Sequence, residues 1–305
     1  MSKATTVSRD TKQGQVLERV LVLRRYELAH RQEGCLGCGL CAEVCPRSAI
    51  EMQPAASAEG RLIKRPRLVL KADRCNFCGE CDVVCPSHSL QLSIDGKRRL
   101  PVVEAEAFPR LLGDVTVDVG RCRPTCDLAC QEKCPTGAIS IVTEEADGEV
   151  QRILGVSVDE DKCLYCAQCK AACPESAIEV TKPYEGTLTL NAALCPAGCQ
   201  VCAEVCPTTA LSIKVDDDGR ERLVRDERYC IFCGACVKAC PVPGALAVRR
   251  NHVRHTEVKS GAWTTALAKI LSPEAQASEV EAKARRHAKA AVAGLLGVDL
   301  DGPLP

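Results

Sequence analysis

Twenty-four cysteines in 305 residues restrict what this chain can fold into more than any other feature, because every one falls into a group of four that ends in Cys-Pro. Four groups share the spacing Cys-x2-Cys-x2-Cys-x3-Cys-Pro: "CLGCGLCAEVCP" (Cys35, Cys38, Cys41, Cys45), "CNFCGECDVVCP" (Cys75, Cys78, Cys81, Cys85), "CLYCAQCKAACP" (Cys163, Cys166, Cys169, Cys173) and "CIFCGACVKACP" (Cys230, Cys233, Cys236, Cys240). Two are wider: "CRPTCDLACQEKCP" (Cys122, Cys126, Cys130, Cys134) and "CPAGCQVCAEVCP" (Cys195, Cys199, Cys202, Cys206). With no cysteine left over, one role for all six copies is the expectation.

A helical stripe of cysteines does not account for the pattern. Four-residue steps nearly keep one helix face, but twelve residues of helix rise about 18 Å, and Pro124 sits badly inside a helix. The chain must curl there. Disulfides are not the expected reason. The start, "MSKATTVSRDTKQGQ", lacks the apolar segment of a signal peptide, and Arg24-Arg25 is followed by the polar "YELAHRQEG" where an export signal needs an apolar stretch. No apolar run approaches the roughly 18–20 residues of a membrane helix. A cytoplasmic protein with no membrane insertion is expected, and in a reducing compartment clustered cysteines point to metal or catalysis. With 40 basic against 40 acidic residues and no basic block, nucleic acid is not an expected partner. Aromatic residues make up only 3% of the chain, so metal rather than side-chain volume should hold the fold.

The flanks repeat as well. After Cys-Pro come short β-prone segments such as "SAIEM", "HSLQLSI", "GAISIV" and "GALAV", and strand-like segments such as "PRLVLKADRC" and "TLTLNAALC" lead into the next copy. The stretches "ISIVTEEADGEVQRILGVSV" and "ALSIKVDDDGRERLV" alternate about an Asp-Gly turn, a hairpin signal. Each unit therefore reads as strand, cysteine loop, one short helical turn, strand: an α+β fold.

Three cysteines two residues apart can wrap a compact four-iron cubane if the loop is tight, and Gly37, Gly39, Gly79, Ala167 and Gly234 leave room for backbone N–H groups to point at the sulfurs. The fourth cysteine of such a run ligates the other cluster of a two-cluster pair, so motifs work in twos. Proline after it stops the short helix. Zinc is the competing metal, but it has no use for three evenly spaced cysteines followed by Cys-Pro. Cys195-x3-Cys199-x2-Cys202 matches the spacing of radical S-adenosylmethionine enzymes, yet Cys206-Pro207 and another motif follow too closely to leave an iron open or to make room for a barrel. His30, His88, His252, His255 and His287 show no ligand spacing and read as surface or satisfied residues. Asp216, Asp217 and Asp218 read as solvated turn residues, and no nucleophile or phosphate-loop motif appears. No catalytic residue is assigned, and all 24 cysteines are candidate iron ligands of six 4Fe–4S clusters.

Residues from about 20 to 253 resemble a polyferredoxin, a chain of fused two-cluster ferredoxin domains. "ERVLVLRRYELAHRQEGCLGCGLCAEVCP" and "FPRLLGDVTVDVGRCRPTC" are similar to the polyferredoxin subunit of formylmethanofuran dehydrogenase, although that subunit typically carries eight motifs where this chain has six. The resemblance implies an electron-transfer subunit that relays low-potential electrons to or from a catalytic subunit, with soluble ferredoxin as a further partner. Related polyferredoxins serve hydrogenases and heterodisulfide reductases, and a stand-alone iron–sulfur enzyme is the remote alternative. The expected layout is a flexible segment 1–15, three ferredoxin-like domains at 16–112, 113–187 and 188–253, and a helical or flexible tail at 254–305, its helix starting at Ser272-Pro273-Glu274. Links of 29, 28 and 23 residues favour pairing motifs 1–2, 3–4 and 5–6, while the 21-residue link between motifs 4 and 5 leaves a shifted scheme open. In the first scheme Cys35, Cys38 and Cys41 share a cluster with Cys85, and Cys122, Cys126 and Cys130 with Cys173.

Overall fold

The computed structural model describes residues 5–146, 149–219, 221–258 and 261–271. Its first elements are β1 (Thr6–Thr11) and β2 (Gly14–Val20), which add to β3 (Arg25–Arg31) as an antiparallel sheet. The segment expected to be flexible is therefore strand from Thr6. The inward side chains of β2 explain why. Leu17 is fully buried, Gln15 exchanges hydrogen bonds with both backbone groups of Leu70, and Arg19 donates to the Cys75 carbonyl at 2.7 Å. At the β1–β2 turn Gly14 has φ +151°, and a Cβ there would lie 2.0 Å from the His30 carbonyl oxygen, so only glycine fits.

Three repeats of one topology follow, each an outer strand pair around an inner hairpin, with a cysteine loop and a short helix after the first and third strands. In unit 1, α1 (Leu40–Val44) leads to β4 (Ile50–Gln53), the small hairpin β5 (Ala56–Ala58) and β6 (Arg61–Lys64), then β7 (Arg67–Leu70), α2 (Glu80–Val83), β8 (Leu90–Ile94) and β9 (Lys97–Arg98). β3 pairs with β8 and β4 with β7. Alternation sets the faces: Leu90, Leu92 and Ile94 point inward while Gln91 and Ser93 are half-buried. After the connecting helix α3 (Pro101–Glu104), unit 2 runs β10 (Asp114–Val117), α4 (Ala129–Glu132), β11 (Ile139–Ala146), β12 (Glu149–Val158), α5 (Gln168–Ala172) and β13 (Ile178–Thr181). β10 pairs with β13 and β11 with β12.

Unit 3 consists of β14 (Tyr184–Leu190), α6 (Val201–Val205), β15 (Leu211–Val215), β16 (Glu221–Arg225), α7 (Ala235–Ala239) and β17 (Leu246–Val253). β14 pairs with β17 and β15 with β16. β14 already belongs to this repeat from Tyr184, four residues before the boundary expected from sequence, because only Lys182-Pro183 separates it from β13. A last helix, α8 (Gly261–Leu271), lies against α1 and β17, and its Trp263 meets Phe108 edge-on at 4.9 Å and donates from Nε1 to His255 Nε2 at 3.1 Å. The helix expected from Ser272 onward lies outside the described residues.

Two apolar cores form. One lies within unit 1 around Leu17, Leu28, Leu90 and Leu92. The other joins all three units: Leu36, Leu40 and Val44 of the first, Leu164 of the second, and Tyr184, Ile231, Phe232 and Leu246 of the third, with Trp263 and Ile270 of α8. The small hairpin of unit 1 ties the first unit to the third. Leu62 N–H donates to the Glu204 carboxylate at 2.6 Å, and Arg65 donates to the Val205 and Glu204 carbonyls at 3.0 and 2.8 Å, at the C-terminal end of α6.

Candidate iron-sulfur sites

Each cysteine loop is curled by left-handed residues. The second residue after the first cysteine has positive φ in four motifs (Gly37, Phe77, Tyr165, Phe232), and so does the fourth (Gly39, Gly79, Ala167, Gly234). Non-glycine residues take this conformation only where surroundings impose it. The turns aim backbone N–H groups inward: Tyr165 donates to Cys163 Sγ and Phe232 to Cys230 Sγ, both at 3.4 Å. After Cys-Pro a second set forms, in which Ala49, Ala138 and Ala177 donate to Cys45, Cys134 and Cys173 at 3.2, 3.2 and 3.3 Å.

The thiols gather in six sets that cross within each unit. Burial, followed by neighbouring sulfurs among the other groups around them, pushes the thiols of Cys35, Cys38 and Cys41 up, and Cys85 is a neighbour to all three. Cys75, Cys78 and Cys81 feel Cys45 in the same way. In unit 2, Cys122 and Cys130 lie beside Cys126 and Cys173, and Cys163, Cys166 and Cys169 beside Cys134. In unit 3, Cys195 and Cys202 lie beside Cys199 and Cys240, and Cys230, Cys233 and Cys236 beside Cys206. These sets are numbered 1 to 6 by the motif that gives three of their thiols. The grouping follows motif pairs 1–2, 3–4 and 5–6, with Cys233 of motif 6 as a further neighbour of Cys38 in motif 1, the contact the shifted scheme would use.

Two cavities show the same crossing directly. One is lined by Cys45, Cys75, Cys78 and Cys81 with Phe77 and Leu92, the other by Cys134, Cys163, Cys166 and Cys169 with Tyr165 and Val180. Among the described residues no three His, Cys, Asp or Glu side chains converge closely enough to hold a single ion. Four thiols around a cavity, inward N–H groups and sulfurs too far apart for one ion fit a multi-iron body. The Cys134 thiol shows the electrostatics: burial would raise it, but N–H groups of Thr136, Ala138 and Ile139 and the Thr136 hydroxyl outweigh that and hold it below the ordinary thiol range. Most other thiols move the opposite way, with Cys78 and Cys230 at about 11 and Cys169 and Cys202 at about 12, so taking up iron must displace protons.

Exposure grades the sites. Three of four cysteines are buried in sites 2 and 6, whereas Cys122, Cys126, Cys130 and Cys173 of site 3 are all partly exposed. Sequence reasoning missed the hydroxyls that follow three motifs: Ser89 Oγ lies 3.4 Å from Cys85 Sγ, and Thr136 and Thr208 lie 3.7 Å from Cys134 and Cys206. The signal was the Ser or Thr within three residues of Cys-Pro: Ser87 and Ser89 in "CPSHS", Thr136 in "CPTGA" and Thr208 in "CPTTA". The histidine expectation also needs correction. His30, which β3 turns inward beside Leu28, is only 3% exposed, and its Nε2, like Nδ1 of His88, is buried without a partner among the described residues.

Comparison with known proteins agrees with this geometry. The profile of the family described as 4Fe-4S dicluster domain matches residues 34–89, 120–177 and 194–243. An uncharacterized ferredoxin of Methanocaldococcus jannaschii is 38% identical over 122 residues, covering 38% of this chain and 58% of that protein. The polyferredoxin-like subunit of an aliphatic sulfonate oxidoreductase from Pyrococcus furiosus is 36% identical over 104 residues, 30% of this chain and 57% of that one. The polyferredoxin protein FwdF of M. jannaschii is 46% identical over 96 residues, 31% of this chain and 26% of that one. The matches thus span less than two thirds of each of these relatives. Among solved structures, a chain of the formate dehydrogenase, heterodisulfide reductase and formylmethanofuran dehydrogenase complex from Methanospirillum hungatei superposes with a TM-score of 0.76 at 27% identity, covering 89% of this chain and 93% of that one. Three dicluster domains and 24 cysteines fit six 4Fe–4S clusters.

Proposed function

The chain belongs to the 4Fe-4S dicluster domain family, and from that premise we propose that it is the electron-transfer subunit of a larger oxidoreductase, relaying low-potential electrons to or from a catalytic subunit. The observation that carries this reading is the arrangement of six crossed thiol sets in one body, with a core that joins all three units. A 4Fe–4S cluster supplies one-electron chemistry at low potential. The chain's own part is to hold each cluster by three cysteines of one motif and the fourth of its paired motif, to direct N–H groups at the sulfurs, and to bury some sites more than others. It contributes no catalytic residue. Site 3, whose four cysteines are all partly exposed, is the port at which a partner's redox centre approaches. The domain limits follow the repeats: strands 25–98, 114–181 and 184–253.

Among partners, formylmethanofuran dehydrogenase is favoured by the likeness to a chain of the M. hungatei complex, which extends over most of both chains. An oxidoreductase acting on another substrate is the second reading, favoured by the P. furiosus relative. Anaerobic affinity purification of the tagged full chain, with mass spectrometry of what co-purifies, decides between them. A tungsten- or molybdenum-containing catalytic subunit whose turnover reduces or oxidises the clusters is expected. Recovery of the chain alone, with clusters unreactive toward any redox partner, contradicts the relay.

A further inference from the structure

The cysteine that crosses from one motif to its partner's site meets a different neighbour in each site. The second residue after it is Ser87 at site 1, Thr136 at site 4 and Thr208 at site 6, but Arg47, Glu175 and Val242 at sites 2, 3 and 5. Cys85 has two hydroxyls near its sulfur, Ser89 Oγ at 3.4 Å and Ser87 Oγ at 3.8 Å, themselves 3.0 Å apart. Cys134 has the Thr136 hydroxyl at 3.7 Å beside the Ala138 N–H, and Cys206 has the Thr208 hydroxyl at 3.7 Å. Cys45 and Cys173 meet the backbone N–H groups of Ala49 and Ala177. At Cys240 the neighbour is an acceptor, the Val242 carbonyl oxygen at 3.3 Å. Binding iron displaces the thiol proton, and a sulfur without it can only accept. The hydroxyls must then donate, whereas the Val242 oxygen is left facing a second electron-rich atom. Among the described residues, each unit thus has one site with a hydroxyl on its crossing cysteine and one site without.

The three hydroxyl-bearing sites are also the ones that border the place where the units meet. A cavity of about 300 Å³ there is lined by Cys85 of site 1, by Leu164 and Tyr165 in the loop of site 4, and by Ile231 in the loop of site 6. On its wall Arg98 of β9 joins unit 1 to unit 2, donating to Asp82 at 2.8 Å and to Asp161 at 2.7 Å. Tyr184 of unit 3 donates from Oη to the Val84 carbonyl of unit 1 at 2.9 Å, and Arg250 of β17 lies 3.9 Å from Glu43 of α1. Lys182, between units 2 and 3, donates to the Cys230 carbonyl at 2.8 Å. We propose that the hydroxyls of Ser87, Ser89, Thr136 and Thr208 set the order of reduction, so that sites 1, 4 and 6 take an electron before sites 2, 3 and 5 of the same units. This deepens the relay reading above and rests on it. Reduction adds negative charge, which a donor on the sulfur stabilises, so the hydroxyl-bearing site of each unit lies at the higher potential. Each transfer moves one electron, first from the partner's low-potential centre and then between neighbouring sites, with no bond made or broken. An electron that enters at site 3 therefore runs to site 4 and is held at the junction of the units.

The test uses the full chain loaded with iron and sulfide and titrated anaerobically with dithionite and redox mediators, its electron paramagnetic resonance signals assigned by single cysteine variants. In the unsubstituted chain the signal of site 1 should appear before that of site 2, site 4 before site 3, and site 6 before site 5. Thr208→Val, Thr136→Val and the double variant Ser87→Ala, Ser89→Ala each remove the donor with little change of shape, and each should lower the signal of its own site alone. The expected size is about a tenfold fall in the reduced-to-oxidised ratio at fixed potential, or about 59 mV for one electron. Val242→Thr supplies a donor where the chain has none and should raise the signal of site 5. A reversed order in any unit, or a hydroxyl variant that keeps its iron and leaves its signal where it was, overturns the proposal. If a hydroxyl variant loses iron, Val242→Thr decides, and an unmoved site 5 signal then overturns it. Clusters in the unsubstituted chain that do not reduce reversibly overturn the relay itself, whereas reversible clusters in the wrong order overturn this inference alone.

Discussion

Ala167 stands at the position that Gly39, Gly79 and Gly234 occupy in three sister motifs, with φ +66° and ψ +16° at the start of α5. A left-handed L-residue costs roughly 1–2 kcal/mol, of which glycine's greater unfolded-state freedom offsets roughly 0.5–1 kcal/mol. Ala167→Gly should therefore stabilise unit 2 by about 0.5–1 kcal/mol, read as slower cluster loss on anaerobic heating; faster loss would contradict the strain argument. His30 carries a second prediction. Burial first, and then the charge of Arg67, hold it near pKa about 4 against 6.5 unfolded. Its native pKa is depressed, so between pH 6.5 and 4 the unfolded chain takes up a proton that the folded chain refuses, and stability falls by roughly 3 kcal/mol across that window. His30→Leu should flatten this part of the pH–stability curve and also remove an unpartnered buried nitrogen. An unchanged slope would show that another group sets it. Sequence disclosed neither feature fully: Ala167 was legible as a loop residue needing room, whereas the inward turn of His30 depends on the sheet built by β2, which pairing rather than periodicity created.

At the scale of elements, the repeats were legible because each strand of the outer pairs and inner hairpins borders a cysteine motif. The Asp-Gly turns placed β11 with β12 and β15 with β16 for local reasons. What could not be read were elements held by residues far away in the chain. β1 and β2 carry no strong alternation and are fixed by Gln15 on Leu70 and Arg19 on Cys75, with Arg19 also 4.9 Å above the Phe77 ring. The β5–β6 hairpin looks like a surface turn in "AASAEGRLIKRP", yet it clamps α6 about 140 residues on. Arg65→Ala removes two charge-assisted bonds to the end of that helix and should weaken docking of unit 1 on unit 3 by about 1–3 kcal/mol. Limited proteolysis between the units, followed over time, measures it; a cleavage rate equal to that of the unsubstituted chain would mean that the clamp contributes nothing.

For the whole molecule, six groups of four cysteines already announced six clusters, and the crossed thiol sets add which cysteines share a site. The order in which units adjoin was not legible, since it rests on Glu43, Lys182, Arg250 and the core around Tyr184, single residues without a repeating pattern. With 3% aromatics and much of the interior made of cysteine loops, the fold itself should depend on iron. Anaerobic removal of iron by chelation should abolish cooperative thermal unfolding; a sharp transition in the iron-free chain would contradict that dependence. No helix among the described residues is long and apolar enough to cross a membrane. The most direct measurement of the central claim is an anaerobic potentiometric titration of the reconstituted chain with integrated electron paramagnetic resonance. Six thiol sets predict six reversible one-electron centres per chain, carried by 24 iron atoms; stoichiometric zinc, or fewer than six centres at full iron loading, would contradict it.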